Sequence, residues 1–160
     1  MGERCLFSER AIEGAEAFIN GPEARHALQV LRMRPGDKAV LFDGGGKEFV
    51  ARLRSAGRRE AVFEILEARE GMREPALGVT VACAVPKGKR ADFLVEKLCE
   101  LGAEEFVPLW TARATVDPRV RPDNHVAKWR RAVVEASKQC GRRRLEIGRA
   151  SCRERVLYTV

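Results

Sequence analysis

Three cations in five residues, Pro86-Lys87-Gly88-Lys89-Arg90, follow an almost unbroken apolar run at residues 77–85, and Arg113 follows a second apolar run at residues 106–110. Apolar runs of that length read as strands of a parallel sheet, whose carboxyl ends are where α/β proteins put their functional loops. Lysines there can hold phosphate oxygens, which asks only for charge and reach. An arginine adds a planar fork of donors for a carbonyl or a phosphate. The loop lacks the G-x-x-x-x-G-K-[ST] spacing, so it cannot wrap a nucleoside triphosphate as a P-loop does. Neither His26 nor His125 has a plausible nucleophile nearby in sequence, which leaves hydrolase chemistry without support. The five cysteines, Cys5, Cys83, Cys99, Cys140 and Cys152, contain no C-x-x-C pair, and they read as reduced thiols rather than zinc ligands.

The charge distribution says where a polyanion would bind. The net charge is +7. Residues 1–75 hold 13 Lys and Arg against 13 Asp and Glu, whereas residues 113–144 hold 10 against 3, so the second segment equals the whole excess. Neutralising phosphates with such a segment releases condensed counterions, and that drives binding to nucleic acid. A solvated surface that only keeps the protein dispersed is the competing explanation. No apolar run reaches the roughly 18 residues of a membrane-spanning helix. The opening MGERCLFSER has no apolar core of a signal peptide, so the expected compartment is the cytosol.

The elements that would position these residues fall into two regions. In the first, a strand is expected at residues 4–7, and a helix after Asn20-Gly21-Pro22 with Ala24, Ala27, Leu28 and Leu31 as its apolar stripe. Pro35-Gly36-Asp37 ends that helix. Strands at 38–42 and 48–55 flank Asp43-Gly44-Gly45-Gly46, with Phe49, Ala51 and Leu53 alternating against Val50, Arg52 and Arg54, and a further strand follows at about 61–68. Residues 70–76 combine Gly, Pro and charge and mark the boundary. Beyond it lie a strand at 77–85, a loop at 86–90, a helix at about 91–101 closed by Gly102, and a strand at 106–110, which together make a βαβ unit. A last helix, capped by Asp123 or Asn124, carries the seam Val126, Trp129, Val133, Ala136 and Cys140. Lys128, Arg130, Arg131 and Lys138 fall largely away from that seam.

Taken together, the motifs resemble one family. His26-Ala27-Leu28-Gln29-Val30-Leu31-Arg32, Gly36-Asp37, Phe42-Asp43-Gly44 and Glu48 are similar to the N-terminal signature of the bacterial 16S ribosomal RNA uridine N3-methyltransferases. Ala84 to Arg90, Glu96-Lys97, Glu100-Leu101-Gly102, Pro108, Thr111 and Arg113 resemble the start of that family's catalytic domain, and Trp129 with Glu135 to Arg142 resembles its next block. The resemblance implies an α+β and α/β organisation: a small PUA-like β-barrel RNA-binding domain at 1–72, then the first half of a trefoil-knot (SPOUT) methyltransferase domain at 76–145. It implies transfer of a methyl group from S-adenosyl-L-methionine to N3 of a uridine in 16S rRNA by a homodimer. Uridine N3 must lose its proton before it attacks the methyl, so charge spreading onto O2 and O4 needs a stabiliser. Arg113 is the catalytic candidate for that role, or for holding the target phosphate, and no general base stands out. The expected RNA-binding residues are Arg25, Arg32, Arg34, Lys87, Lys89, Arg90, Arg130, Arg131, Lys138, Gln139 and Arg142.

The resemblance stops after Leu145. Residues 146–156 look like the in-frame translation of a common sequencing-adapter oligonucleotide, so 146–160 is expected to be a non-native tail, with the origin of 157–160 unassigned. The glycine-rich loop and knotted segment that form the family's cofactor pocket lie beyond this point, so no cofactor-binding residue and no metal ligand is expected in this chain. The truncated chain is therefore expected to be inactive. A stand-alone RNA-binding protein and a pseudoenzyme that pairs with a full-length partner are the alternatives.

Overall fold

The computed structural model describes residues 4–71, 75–117, 120 and 122–145, so the expected tail at 146–160 lies outside the described residues. The chain divides into two compact units, residues 1–72 and 73–160. No helix among the described residues is long and apolar enough to cross a membrane.

The first unit contains strands β1 (Cys5–Phe7) and β2 (Glu16–Asn20), the short helix α1 (Gly21–Arg25), and strands β3 (Lys38–Phe42), β4 (Lys47–Ala56) and β5 (Glu60–Glu70). They form one mixed sheet in the order β1-β3-β4-β5-β2, with β1 parallel to β3 and the other pairs antiparallel. Register shifts at Val50/Ala51 and Leu53/Ser55 bend the β4–β5 pair, and bulges of this kind curl a sheet. The result is an open half-barrel with β1 and β2 at its edges, where the resemblance implies a barrel. The expected alternation on β4 holds, with Phe49, Ala51 and Leu53 buried and Arg52 and Arg54 exposed. They join Leu6, Ile19, Leu41 and Phe63 in one core, closed over by Ala24 and Ala27.

β2 is not among the expected strands. Only two core residues, Ala17 and Ile19, mark it, and a two-residue signal becomes a strand because β5 offers it five paired positions. After α1 the chain makes a wider π-type turn over His26–Val30, with the Leu31 amide bonding the His26 carbonyl at 2.9 Å. It leaves that turn through Arg32 at φ +51, a left-handed conformation that costs a side-chain-bearing residue about 1–2 kcal/mol.

Three carboxylates tie the loops of this unit to its strands. Glu23 accepts the Phe7 amide at 3.0 Å, and Asp43 accepts the amides of Ile12 and Gly45, both at 2.9 Å. Asp37 accepts the Arg34 amide at 2.9 Å and pairs with Arg4 at 3.0 Å. On the outer face of β4 and β5 the charges are matched across strands: Arg52 lies opposite Glu64 and Glu48 opposite Arg69, while Lys47 pairs with Glu70 and Arg54 with Glu16. That matching stabilises the pairing.

The second unit contains β6 (Thr80–Ala84), α2 (Lys89–Glu100), β7 (Glu105–Leu109) and α3 (Pro122–Cys140). β6 and β7 pair in parallel, with Thr80 opposite Glu105 and Ala84 opposite Leu109. α2 begins earlier than expected, so Lys89 and Arg90 belong to its first turn rather than to a loop. Gly102, at φ +84, ends it as expected. α3 begins at Pro122, which puts Asp123 in the first turn instead of at the cap; its carboxylate there still favours the positive end of the helix dipole. Trp129 lies edge-on to Phe106 with ring centroids 5.5 Å apart, and Val133, Ala136 and Ser137 are buried beside the Val95, Leu98 and Cys99 face of α2. The expectation of a first strand running from residue 77 and covered on both faces is not met: Leu77 is 78% exposed, and pairing starts at Thr80.

The Asp37 carboxyl is held below its ordinary value, first by the Arg34 amide and then by the Arg4 charge, against an opposing desolvation. A lowered folded value stabilises the fold above the unfolded value, and that stabilisation is lost as the pH falls through the folded one. Asp37→Asn keeps an acceptor for the amide and removes the charge. Its melting temperature should lie below the parent's at pH 7, and the gap should narrow as the pH passes the ordinary value of 3.8 and then close. A gap of constant size from pH 7 to pH 3, measured by circular dichroism, would contradict this.

Candidate nucleic-acid interface

Because β6 and β7 run parallel in register, the segments that leave them emerge from the same edge of the sheet. Val85-Pro86-Lys87-Gly88 runs from β6 into α2, and Trp110-Thr111-Ala112-Arg113 leaves β7 and closes a turn in which the Ala114 amide bonds the Thr111 carbonyl at 2.9 Å. Gly88, at φ +66, makes the bend between Lys87 and the start of α2 at Lys89. Lys87, Lys89, Arg90 and Arg113 are all exposed, and none has an ionic or hydrogen-bonding partner among the described residues. Their charge adds to the positive end of the α2 dipole, where the one acid of the first turn, Asp92, is engaged by Lys128, and that combination attracts phosphate.

The other expected RNA-binding residues divide sharply. On α3, Arg130, Arg131 and Gln139 are exposed, with the Arg131 side chain donating to the Ala127 carbonyl at 3.2 Å. Lys138 is different. Its side chain is only 10% exposed and pairs with Glu135 at 2.9 Å, so little of it can reach a ligand. Lys128 is likewise engaged, 2.8 Å from an Asp92 carboxylate oxygen that is buried and accepts no directed hydrogen bond; the pair is ionic and fastens α3 to the first turn of α2.

Arg142 corrects the sequence-based expectation. It is 5% exposed and donates to the carbonyls of Cys99 at 3.3 Å and Ala103 at 2.8 Å, satisfying the carboxyl end of α2. Its place in a run of three arginines made it look like a phosphate ligand, and nothing in the local sequence distinguishes it from Arg144, which is exposed. In the first unit, Arg25, Arg32 and Arg34 lie on α1 and the turn after it; all three are exposed, and the Arg25 side chain is held by Gln29 at 2.9 Å. Burial pushes the Cys83 and Cys99 thiols up, which favours the protonated, less nucleophilic form of both.

Residues 19–66 match a family model described as the RNA methyltransferase PUA domain, and residues 73–152 match one described as the RNA methyltransferase domain. This chain belongs to the RNA methyltransferase family. Among curated family members, a ribosomal RNA small subunit methyltransferase E from Synechocystis is 32% identical over 142 residues, covering 89% of this chain and 45% of its own length. The protein of the same name from Mycobacterium bovis is 34% identical over 133 residues, covering 82% and 50%. The chain thus spans about half the length of the curated relatives it matches. Among solved structures, the Neisseria gonorrhoeae ribosomal RNA small subunit methyltransferase E bound to S-adenosyl methionine superposes with a TM-score of 0.79 at 30% identity, covering 91% of this chain and 62% of that one. A Legionella pneumophila protein in complex with the bound cofactor SAM gives 0.84 at 25% identity, covering 99% and 64%.

Two hollows among the described residues were candidates for this cofactor, and neither has the shape of its pocket. The hollow lined by Pro75, Gly78, Gly102, Glu104 and Arg142 encloses about 150 Å³, below the roughly 300 Å³ at which small-molecule pockets begin. The hollow beside Asn124, Ala127, Lys128 and Arg131 is a shallow depression on one helix face, without walls to enclose an adenosine.

A structural and an RNA-contacting arginine respond differently to truncation. Arg142→Ala removes the donor to the Ala103 carbonyl, leaves the Cys99 carbonyl with the Gly102 amide alone, and should destabilise the second unit by about 1–3 kcal/mol in urea unfolding. Affinity of the folded protein for a 16S rRNA fragment should be unchanged. Unaltered stability with weakened RNA binding would restore Arg142 to the interface.

Proposed function

We infer that the complete protein transfers a methyl group from S-adenosylmethionine to N3 of a uridine in 16S rRNA, and that this chain holds its PUA-like RNA-docking unit and the opening half of its catalytic unit. The observation that carries the reading is the cluster of Lys87, Lys89, Arg90 and Arg113 at the shared edge of β6 and β7, inside the segment that matches the methyltransferase family. The names of the curated relatives support the small-subunit rRNA as substrate, and the Neisseria relative supports the methyl donor. The β6-α2-β7 unit is read as the beginning of a trefoil-knotted fold and the working assembly as a homodimer. The compartment is read as the cytoplasm, where small-subunit rRNA is made into ribosomes.

The chain's own residues have a defined part in this chemistry. Methylation at N3 requires the imide proton to leave, and the resulting anion is spread over O2 and O4 of the ring. Arg113 offers a permanently charged, planar donor pair that matches such an anion, and its exposure leaves the donors available to a substrate. Lys87, Lys89 and Arg90 bind the phosphates on either side and hold the uridine near Arg113. Arg130 and Arg131 on α3, with Arg25, Arg32 and Arg34 in the first unit, bind further along the RNA backbone, which fixes register without reading sequence. Lys138 and Gln139 are secondary, the first because Glu135 already holds it.

Disrupting the gene in its host should remove one N3-methyluridine from nuclease digests of 16S rRNA; unchanged nucleoside content would overturn the substrate and the position together. Replacing Arg130 and Arg131 by Ala should weaken binding of the chain to a 16S fragment and flatten its salt dependence by about 0.7–0.9 log units for each phosphate no longer neutralised. An unchanged slope would move the backbone-binding surface off α3.

A further inference from the structure

One exposed aromatic side chain stands beside the cationic edge and has no share in the core. Phe93 lies on α2 one turn after Lys89 and Arg90 and is 60% exposed. The buried face of the helix is formed by Ala91, Val95, Leu98 and Cys99, so Phe93 adds nothing to it. Helical spacing puts positions 89, 90, 93 and 97 on the opposite face. The Lys97 ammonium sits 5.5 Å from the ring centroid and is itself held by Glu96 at 3.0 Å and Glu100 at 2.7 Å. Beyond Phe93, therefore, the one cation is held by two carboxylates, and before it Lys89 and Arg90 are unpaired among the described residues.

An exposed phenylalanine alone is ordinary. Here the ring has unpaired cations on one side and a lysine held by two carboxylates on the other; cations beside an exposed aromatic face are the pattern by which proteins hold a single-stranded nucleic acid, backbone on cations and base on the ring. We propose that Phe93 is a stacking platform for an unpaired nucleobase of the RNA, beside the phosphates held by Lys89 and Arg90. The proposal rests on the rRNA-directed reading above.

The test uses the whole chain, a short single-stranded uridine-containing oligoribonucleotide from 16S rRNA, and a perfect duplex of the same sequence. Phe93→Ala should weaken single-strand binding on the order of tenfold, a typical effect for one stacked base, with duplex binding unchanged. The salt slope should also stay unchanged, since every phosphate remains neutralised. Phe93→Trp should restore affinity, and its added fluorescence should be quenched on binding the single strand. Equal affinities for the parent and Phe93→Ala, full restoration by Phe93→Leu, or a change in sedimentation on Phe93→Ala would each overturn the proposal. If Lys89→Ala weakens binding of both probes while Phe93→Ala changes neither, the interface stands without the platform; if the parent binds neither probe, the rRNA-directed reading falls with it.

Discussion

Two parallel strands cannot be joined by a turn; the chain that leaves β6 must travel back along the full length of the strand before β7 can begin, and in this protein α2 makes that return. The pairing of Ala84 with Leu109 then fixes where both strands end. Everything proposed about the site follows from this constraint. It brings residues about 25 positions apart in sequence to one edge, starts α2 there with its positive end facing the same way, and leaves Lys87, Lys89, Arg90 and Arg113 together. The Asp92–Lys128 pair and the Trp129–Phe106 contact dock α3 on this frame and commit its apolar seam to the interior. Arg130 and Arg131 remain outside.

The two units treat charge differently, and the difference explains why a balanced and a basic segment occur in one chain. In the first unit carboxylates are used internally: Glu23, Asp37 and Asp43 hold backbone amides, and the outward residues of β4 and β5 are matched across the sheet. The RNA contacts proposed for the first unit are the arginines on α1 and its exit turn. In the second unit the cations outnumber the acids available to pair with them. Some are still consumed by the fold, Arg142 on two carbonyls and Lys138 on Glu135, so the electrostatic footprint is smaller than the residue count suggests.

How much of this was legible in the sequence depended on whether the signal was local. The hairpin around Asp43 to Gly46 and the strand at 38–42 were readable because alternation and turn chemistry are written into adjacent residues. The site edge was readable for the same reason, since an apolar run followed by cations marks a strand end wherever it occurs. β2 was not, because Ala17 and Ile19 become a strand only through β5. The inward turn of Arg142 was not either, because it depends on carbonyls 39 and 43 positions away. Phe93 was passed over for a different reason: its meaning comes from the unpaired charge on one side and the paired charge on the other, and pairing is a property of the fold.

The central claim is that the shared edge of β6 and β7 faces the RNA. Hydrogen exchange of the chain with and without a 16S rRNA fragment measures this directly, because bound phosphates slow the opening of the backbone they contact. The account predicts added protection at residues 86–93 and 111–114 and along the first turns of α3, with the outer face of β4 and β5 unchanged. Protection confined to β4 and β5, with the strand-end loops exchanging as in the free protein, would contradict it.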